Sequence, residues 1–180
     1  MAATGIEIRY ELESNLRAGL ARAQELGNDL TPAMSAIATH LEAVVRRRFE
    51  DEKGPGGVPW KPSERVRQNP GEKTLQLDGH LLGSIASRHD AASAEVGPVR
   101  SGPAAIYAAI HQFGGTIRPR QDVAKPKKAL SFGGRVLASV TLPARPYVGF
   151  DDADRAAITE ILTDHLRHAF GGPAVARSAP

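Results

Sequence analysis

The stretch YAAIHQFGG, Tyr107–Gly115, decides how the middle of this chain folds. Its first seven residues can all continue a helix, and a glycine just past the last helical residue is a frequent stop signal. We therefore predict a helix over Pro103–Phe113 that ends at Gly114. Four apolar side chains form its predicted buried side: Ile106, Ala109, Ile110 and Phe113.

The adjacent polar residues His111 and Gln112 raise a choice between a reactive site and a structural one. His111 lies near the carbonyl end of the predicted helix, where an imidazole can donate to a terminal carbonyl group. The sequence offers it no nucleophile in a recognisable context and no paired acid. We interpret His111 as structural, and a hydrolase that uses it is the alternative.

Helices are predicted at both ends of the chain. One opens at Thr31-Pro32, with Thr31 as its cap, and carries an apolar stripe from Met34 to Phe49. The last helix starts at the cluster of Asp151, Asp152 and Asp154, where negative charge meets the helix dipole, and its apolar face runs to Phe170. Before the first of these, residues 5–13 alternate like a half-buried strand and a further helix ends at Gly27-Asn28.

Short strands and loops fill the middle. Residues 54–62, GPGGVPWKP, form a loop whose Trp60 either plugs an edge of the core or stacks on a nucleic-acid base. The other predictions follow in chain order: a turn, a short helix or strand start and then a strand over 75–88, a partner strand over 93–98, a loop over 116–128, a hairpin from 129–132 and 135–142 around Gly133-Gly134, and a connector over 143–150.

This layout predicts an α+β fold: long helices near the N- and C-terminal ends, packed on a small, mostly antiparallel sheet with long loops. Residues 1–170 are expected to form one domain, with a flexible basic loop at 118–128 and a disordered tail at 171–180.

The charge is mildly positive, with 23 basic and 20 acidic residues, which does not require a nucleic-acid partner. Two basic runs stand out. One is Arg46–Arg48, and the other is Arg118–Arg135, which contains a single acidic residue, Asp122. The first is interpreted as cations at a helix C-terminus, with nucleic-acid binding as the alternative. The second is predicted to contact a partner through six residues: Arg118, Arg120, Lys125, Lys127, Lys128 and Arg135.

Several function classes find no support. There is no cysteine, so thiolate chemistry and cysteine-bound metals are excluded. His165 and His168 share a helix face, but two imidazoles alone do not hold zinc. No phosphate-binding, dinucleotide or nucleophile-elbow motif occurs. No signal peptide and no apolar run of membrane-spanning length are found. We expect a soluble, non-secreted protein with no enzymatic activity and no cofactor, metal or membrane contact.

Five motifs, in order, resemble the phage virion morphogenesis proteins, the family of the Mu-like G protein and the P2-like tail completion protein S. In Leu75–Ile85, Asp78 stands where the family commonly has Thr. The five are RRRFEDEKGPGGVPWKP (46–62), LQLDGHLLGSI (75–85), EVGP (95–98), YAAIHQFGG (107–115) and ARPYVGFDDAD (144–154). The resemblance covers roughly residues 34 to 170.

The resemblance implies a structural protein of a tailed phage or prophage. Such a protein is expected in the virion, at the neck or the head-proximal tail end, after assembly in the host cytoplasm. It would act in tail completion and head–tail joining as a homo-oligomeric, hexameric ring. Its expected partners are the tail tube or tail terminator, the head connector and, transiently, genomic DNA. A tail terminator or head-side connector ring is one alternative, and a small DNA-binding protein is another.

We predict that the residues beside the breaks in regular structure form one contact cluster, within a subunit or across two. The two proline-bearing segments, 54–62 and 143–149, would present aromatic side chains at an interface. The predicted structural or interface residues are Trp60, Tyr107, His111, Gln112, Gly114, Gly115, Arg145, Pro146 and Tyr147.

Overall fold

The computed structural model describes residues 29–99, 104–119, 129–132 and 135–169. The predicted strand and helix within residues 5–27, and the predicted tail at 171–180, lie outside these ranges. The described residues form helices and small antiparallel sheets, which confirms the α+β class. None of their helices combines the length and the hydropathy needed to cross a membrane.

Two long helices frame the described part of the chain. Helix α1 spans Thr31–Asp51, and α5 spans Asp152–Ala169. Three short helices lie between them: α2 over Glu64–Gln68, α3 over His80–Gly83 and α4 over Ala104–Phe113. A single 3₁₀ turn occupies Pro55–Gly57, inside the segment predicted to be a loop.

Three two-stranded antiparallel sheets complete the described fold. Strand β1, Ile85–His89, pairs with β2, Ala94–Pro98. Strand β3, Gly115–Ile117, pairs with β6, Val140–Leu142. Strand β4, Leu130–Phe132, pairs with β5, Arg135–Leu137.

Hydrophobic packing forms two clusters, and α1 contributes to both. The first joins the C-terminal half of α1 to residues from the middle of the chain: Val45, Phe49, Trp60, Leu81, Ile85, Ala104, Ala108, Tyr147 and Val148. The second joins its N-terminal half to α5: Ala33, Met34, Ile37, Leu41 and Leu162. One helix can serve both because its apolar stripe is about five turns long.

The N-cap of helix α1 lies one residue earlier than predicted. Leu30 is the N-cap, because its carbonyl oxygen already accepts the amide of Met34 at 2.9 Å. Thr31 is therefore helical rather than the cap. Its amide donates to Oδ1 of Asp29, also at 2.9 Å.

The prediction that Phe113 lies on the buried side of α4 was wrong, because its side chain is 64% exposed. Among the described side chains of α4, the buried ones are Ala104, Ala108 and Gln112, which repeat every four residues. The connector at 143–150 determines which face of α4 is buried. It forms hydrogen bonds with Gln112 and leaves Phe113 exposed.

Two predictions for the second half of the chain also needed correction. The loop predicted over 116–128 begins as strand β3, because the β6 backbone is available to pair with it. Residues 135–142 are not one strand: Ala138 and Ser139 break them into β5 and β6, which pair with different partners. The hairpin around Gly133-Gly134 is confirmed by the pairing of β4 with β5.

Candidate functional site

The connector, residues 143–150, with the adjoining Asp151, is the centre of the candidate site, and Gln112 holds it against α4. The Gln112 Oε1 atom accepts the amides of Tyr147 and Val148 at 3.0 and 3.1 Å. Its Nε2 donates to the carbonyl of Val148 at 2.7 Å. One side chain thus supplies the hydrogen-bond donor and acceptor that a neighbouring strand would otherwise offer to the buried connector backbone.

The turn after α4 fixes the start of the connector. The carbonyl of His111 accepts the amide of Arg145 at 2.7 Å. Gly114 has φ +71°, and a Cβ there would lie 2.7 Å from the backbone nitrogen of Ala144. A side chain at this position would meet both the left-handed backbone penalty and a backbone clash, so glycine is required. Gly115 has φ +152° and opens β3.

Tyr147 and Trp60 are buried within one subunit, at 0% and 5% exposure, so neither is presented at a surface. Both rings lie 5.4 Å from the ring of Phe49. The Tyr147 hydroxyl donates to the carbonyl of Ala108 at 3.1 Å, and burial raises the pKa of that hydroxyl. The indole Nε1 of Trp60 donates to the carbonyl of Pro146 at 2.9 Å.

Arg145 joins the connector to the loop that carries Trp60. Its Nε donates to the carbonyl of Lys61 at 2.7 Å. Burial lowers the pKa of the guanidinium, although arginine remains charged under ordinary conditions.

His111 does not make the predicted contact through its Nδ1. That nitrogen is buried and finds no hydrogen-bond partner within the described part of the chain. The imidazole packs edge-on against Tyr107, with ring centres 5.7 Å apart. Burial lowers its pKa, and the positive charge of Arg145 lowers it further. The ring is a neutral packing element beside the connector.

Sequence reasoning missed the buried ion pair that closes the other end of the connector. Arg48 of α1 lies 2.5 Å from Asp154 and 3.5 Å from Asp151, and its Nη1 donates to the carbonyl of Gly149 at 2.7 Å. Both Arg48 and Asp154 are almost fully buried. The sequence signal was the spacing of Asp151 and Asp154, which cap each other's amides at the start of α5.

Asp151 extends this network to the 3₁₀ turn. Its Oδ2 accepts the amide of Gly56 at 3.0 Å. That hydrogen bond is the main cause that lowers the pKa of Asp151, followed by the amide of Asp154. The segment that carries Trp60 is therefore tied to the connector at both of its ends.

The arginine triplet, interpreted as a group of cations at a helix end, divides into two internal contacts and one exposed residue. Arg46 donates to Glu42 and to the carbonyl of Ile85, and Arg48 makes the buried ion pair. Glu42 also accepts the amide and hydroxyl of Ser87. The Ser87 hydroxyl is the main cause that lowers the pKa of Glu42, and Arg46 is the next. Arg47 is exposed.

Of the six predicted partner-contacting basic residues, two lie within the described ranges. Arg118 is exposed directly after β3. Arg135 lies on β5, where the backbone alone is described. The other four residues, Arg120, Lys125, Lys127 and Lys128, lie outside the described ranges.

The described polar groups of this site serve backbone and ion-pair contacts. Hydrogen bonds to main-chain carbonyls or amides are formed by the side chains of Gln112, Arg145 and Trp60. The guanidinium of Arg48 is paired with Asp154. Within the described residues, no three His, Cys, Asp or Glu side chains are arranged to hold a metal ion. The arrangement can fix the connector rigidly between α1, α4 and α5.

Comparison with known proteins gives a family and three relatives. The sequence profile of the phage virion morphogenesis family matches residues 13–167. Mu-like prophage FluMu G protein 2 of Haemophilus influenzae is 28% identical over 162 residues, 90% of this chain and 96% of the relative. No solved structure matches the chain with significance.

Two phage proteins are also similar. Tail completion protein S of Escherichia phage P2 is 30% identical over 136 residues, 72% of this chain and 79% of the relative. Putative capsid assembly protein G of Escherichia phage Mu is 30% identical over 139 residues, 75% of this chain and 76% of the relative. The match over residues 13–167 includes the whole connector site, and the chain belongs to the phage virion morphogenesis family.

Proposed function

We propose that this chain is a structural virion protein that completes the tail of a tailed phage or prophage and makes it competent to join the head. Family membership over residues 13–167 carries the proposal, together with the similarity to tail completion protein S of phage P2. The site supports it as well, because its buried polar groups brace a connector between three helices.

We infer that the protein acts as a ring, expected to be hexameric, at the neck or the head-proximal tail end. A ring formed from one kind of subunit needs two different faces that meet head to tail, and a rigid subunit keeps their angle constant. The connector contacts provide such rigidity. The tail tube or terminator and the head connector are the proposed neighbours, and a terminator or head-side connector ring would use the same properties.

We also infer a non-enzymatic role. A general acid or base needs a reacting group within hydrogen-bond distance. His111 packs instead against Tyr107 and faces the guanidinium of Arg145, and its pKa is lowered rather than tuned by a partner acid. The DNA-binding alternative loses part of its basis, because Arg46 and Arg48 are engaged within the chain.

The test removes the gene from a phage or prophage that encodes this chain and supplies the protein afterwards. The mutant lysate is expected to contain DNA-filled heads and separate tails, visible by negative-stain microscopy. Purified wild-type protein should then restore joined particles and plaque-forming units. Joined, infectious particles in the mutant lysate without added protein would contradict the proposal.

Two further measurements separate the alternatives. Antibody labelling of virions should mark the junction of head and tail. Filter binding to unrelated DNA duplexes at low salt should show no tight complex, because phosphate contacts would give strong, salt-dependent binding. Tight binding that falls steeply with salt would favour the DNA-binding alternative.

A further inference from the structure

The loop at residues 74–79 holds an exposed leucine in a fixed position. Leu75 packs against the first hydrophobic cluster although its φ is +63°, a conformation that leucine rarely adopts. The Thr74 amide donates to Glu52 and the Gln76 side chain donates to the carbonyl of Phe49, both at 2.6 Å. Leu77 is nevertheless 66% exposed. A rigid backbone that presents an apolar side chain lowers the entropic cost of binding a partner there.

Acidic side chains follow this leucine in the chain and lie at the end of α1. Asp78 follows it, and Glu50 and Asp51 lie at the end of α1, against which the loop packs. All three are exposed. Residues 50–53 and 72–78 together carry five carboxylates against two lysines, Lys53 and Lys73. The guanidinium of Arg65 pairs with one of these carboxylates, Glu72, so the net negative charge of the region is small. We name Glu50, Asp51, Leu77 and Asp78 the acidic knob.

A second exposed surface has the opposite charge. Strands β3 and β6 present Thr116 and Thr141, whose hydroxyl groups lie 2.9 Å apart. The exposed Phe113 and Arg118 lie just before and just after β3. Val136, 78% exposed, lies four residues before the start of β6. We name Phe113, Thr116, Arg118, Val136 and Thr141 the sheet face.

We propose that the acidic knob of one copy of this chain binds the sheet face of a second copy. The acidic knob offers one large exposed apolar side chain, Leu77, and the sheet face offers two, Phe113 and Val136. The charge of Asp78 is opposite in sign to that of Arg118. Leu77 would pack against Phe113 or Val136, while Asp78 would lie near Arg118. Apolar anchors inside a polar rim are the usual anatomy of a protein–protein interface.

The contact is heterologous, because two different surfaces of the same chain meet. Repeated from copy to copy, such a contact closes into a ring when the rotation permits. The inference rests on the proposed ring and deepens it by naming its two faces. Other occupants of the acidic knob, such as a basic tail protein, would leave the sheet face of a second copy uninvolved.

Cysteine trapping tests the proximity directly, because the natural chain has no cysteine. We would prepare two full-length double variants, Leu77→Cys with Val136→Cys and Leu77→Cys with Phe113→Cys, and treat them with a short bismaleimide. At least one is expected to give a ladder of dimers, trimers and larger species in denaturing gels. Each single variant can give at most a dimer. Val58→Cys with Val99→Cys, at other exposed apolar positions, should give no ladder.

Charge reversal tests the pairing in a second way. Asp78→Lys alone and Arg118→Glu alone should each weaken self-association in sedimentation velocity by about tenfold or more, because like charges then face each other. Mixing the two variants should restore association, since the altered knob of one fits the altered face of the other. Glu160→Lys, an exposed charge on α5, should behave as the wild type.

The outcomes separate this inference from the proposed function. If the wild type stays monomeric, if neither double variant gives a ladder, or if mixing fails to restore association, the inference is overturned. The proposed function then stands or falls on head–tail joining in the mutant lysate, which does not require this pair of surfaces. Rings in micrographs without either cross-link would retain the ring and reject these two faces.

Discussion

At the scale of single residues, the buried ion pair of Arg48 with Asp154 gives the most direct test of the site. Removing one partner of a buried pair leaves an uncompensated charge, which typically costs about 3–5 kcal/mol. Arg48→Ala also removes the donor to the carbonyl of Gly149. We expect a loss of about that size in the free energy of unfolding, measured by urea denaturation. Arg47→Ala, one residue away and exposed, should change it by no more than about 0.5 kcal/mol.

A double variant distinguishes a charge effect from a packing effect. Arg48→Met with Asp154→Leu removes both charges and keeps apolar volume, so its cost should be clearly smaller than that of Arg48→Ala. A double variant as unstable as the sum of the two single ones would mean that the two residues act independently.

His111 gives a prediction about pH. Burial and Arg145 lower its pKa below the ordinary value of 6.5, so the folded state binds fewer protons than the unfolded state. Stability is therefore lost as pH falls below about 6.5 toward the lowered pKa. As the pH is lowered from about 7 to about 5, which is above the pKa range of ordinary carboxylates, the free energy of unfolding of the wild type should decrease. His111→Phe should flatten that slope, and His89→Gln, on an exposed residue, should retain it. An unchanged slope in His111→Phe would assign the pH dependence to another group.

At the scale of elements, the turn from α4 into β3 depends on the glycine at 114. Gly114→Ala places a methyl group 2.7 Å from the backbone of Ala144 at a positive φ, and we expect a loss of at least about 3 kcal/mol. Gly79→Ala is the matched control: its φ of +69° is similar, but nothing lies within 4 Å. It should cost only about 1–2 kcal/mol, the backbone term alone. Equal losses in both variants would show that the contact with Ala144 has no energetic effect.

The same region shows which elements the sequence could predict. The end of α4 was predictable because a left-handed glycine stop is a local property of Gly114. The buried face of α4 was not, because a rule based on hydrophobicity favours Phe113 over Gln112. Gln112 is buried only because residues 35 and 36 positions further along supply its hydrogen-bond partners. Strand β3 was missed for a similar reason, since its partner β6 lies more than 20 residues away.

The candidate site followed the same division between local and long-range information. Proline and glycine spacing predicted that residues 54–62 and 143–150 would be irregular and would lie beside aromatic residues. Only the fold shows that Trp60 binds the carbonyl of Pro146 and that Arg48 reaches Asp154, 106 positions away. The sequence placed Arg48 among the cations at a helix C-terminus, because a run of arginines carries no signal for which one is buried.

At the scale of the whole molecule, α1 is the element shared by both hydrophobic clusters. Val45 and Phe49 belong to the cluster that contains Trp60, and Met34, Ile37 and Leu41 belong to the cluster that contains Leu162. A rigid helix common to both should make them unfold together. The Arg48 pair adds a second connection, because it ties the end of α1 to the start of α5.

Cooperative unfolding can be tested with the probe that the chain already contains. Trp60 is its single tryptophan and is buried in the first cluster, so its fluorescence reports on that cluster. Far-ultraviolet circular dichroism reports on helices, of which α1 and α5 are the longest in the described part of the chain. The two urea transitions should coincide in the wild type. Leu162→Ala removes buried side chain from the other cluster and should cost about 2–5 kcal/mol. Both transitions should then shift by the same amount, with Thr159→Ala on the exposed side of α5 as the control. If only the dichroism transition shifted, the two clusters would be separate folding units, and α1 would bend or fray between them.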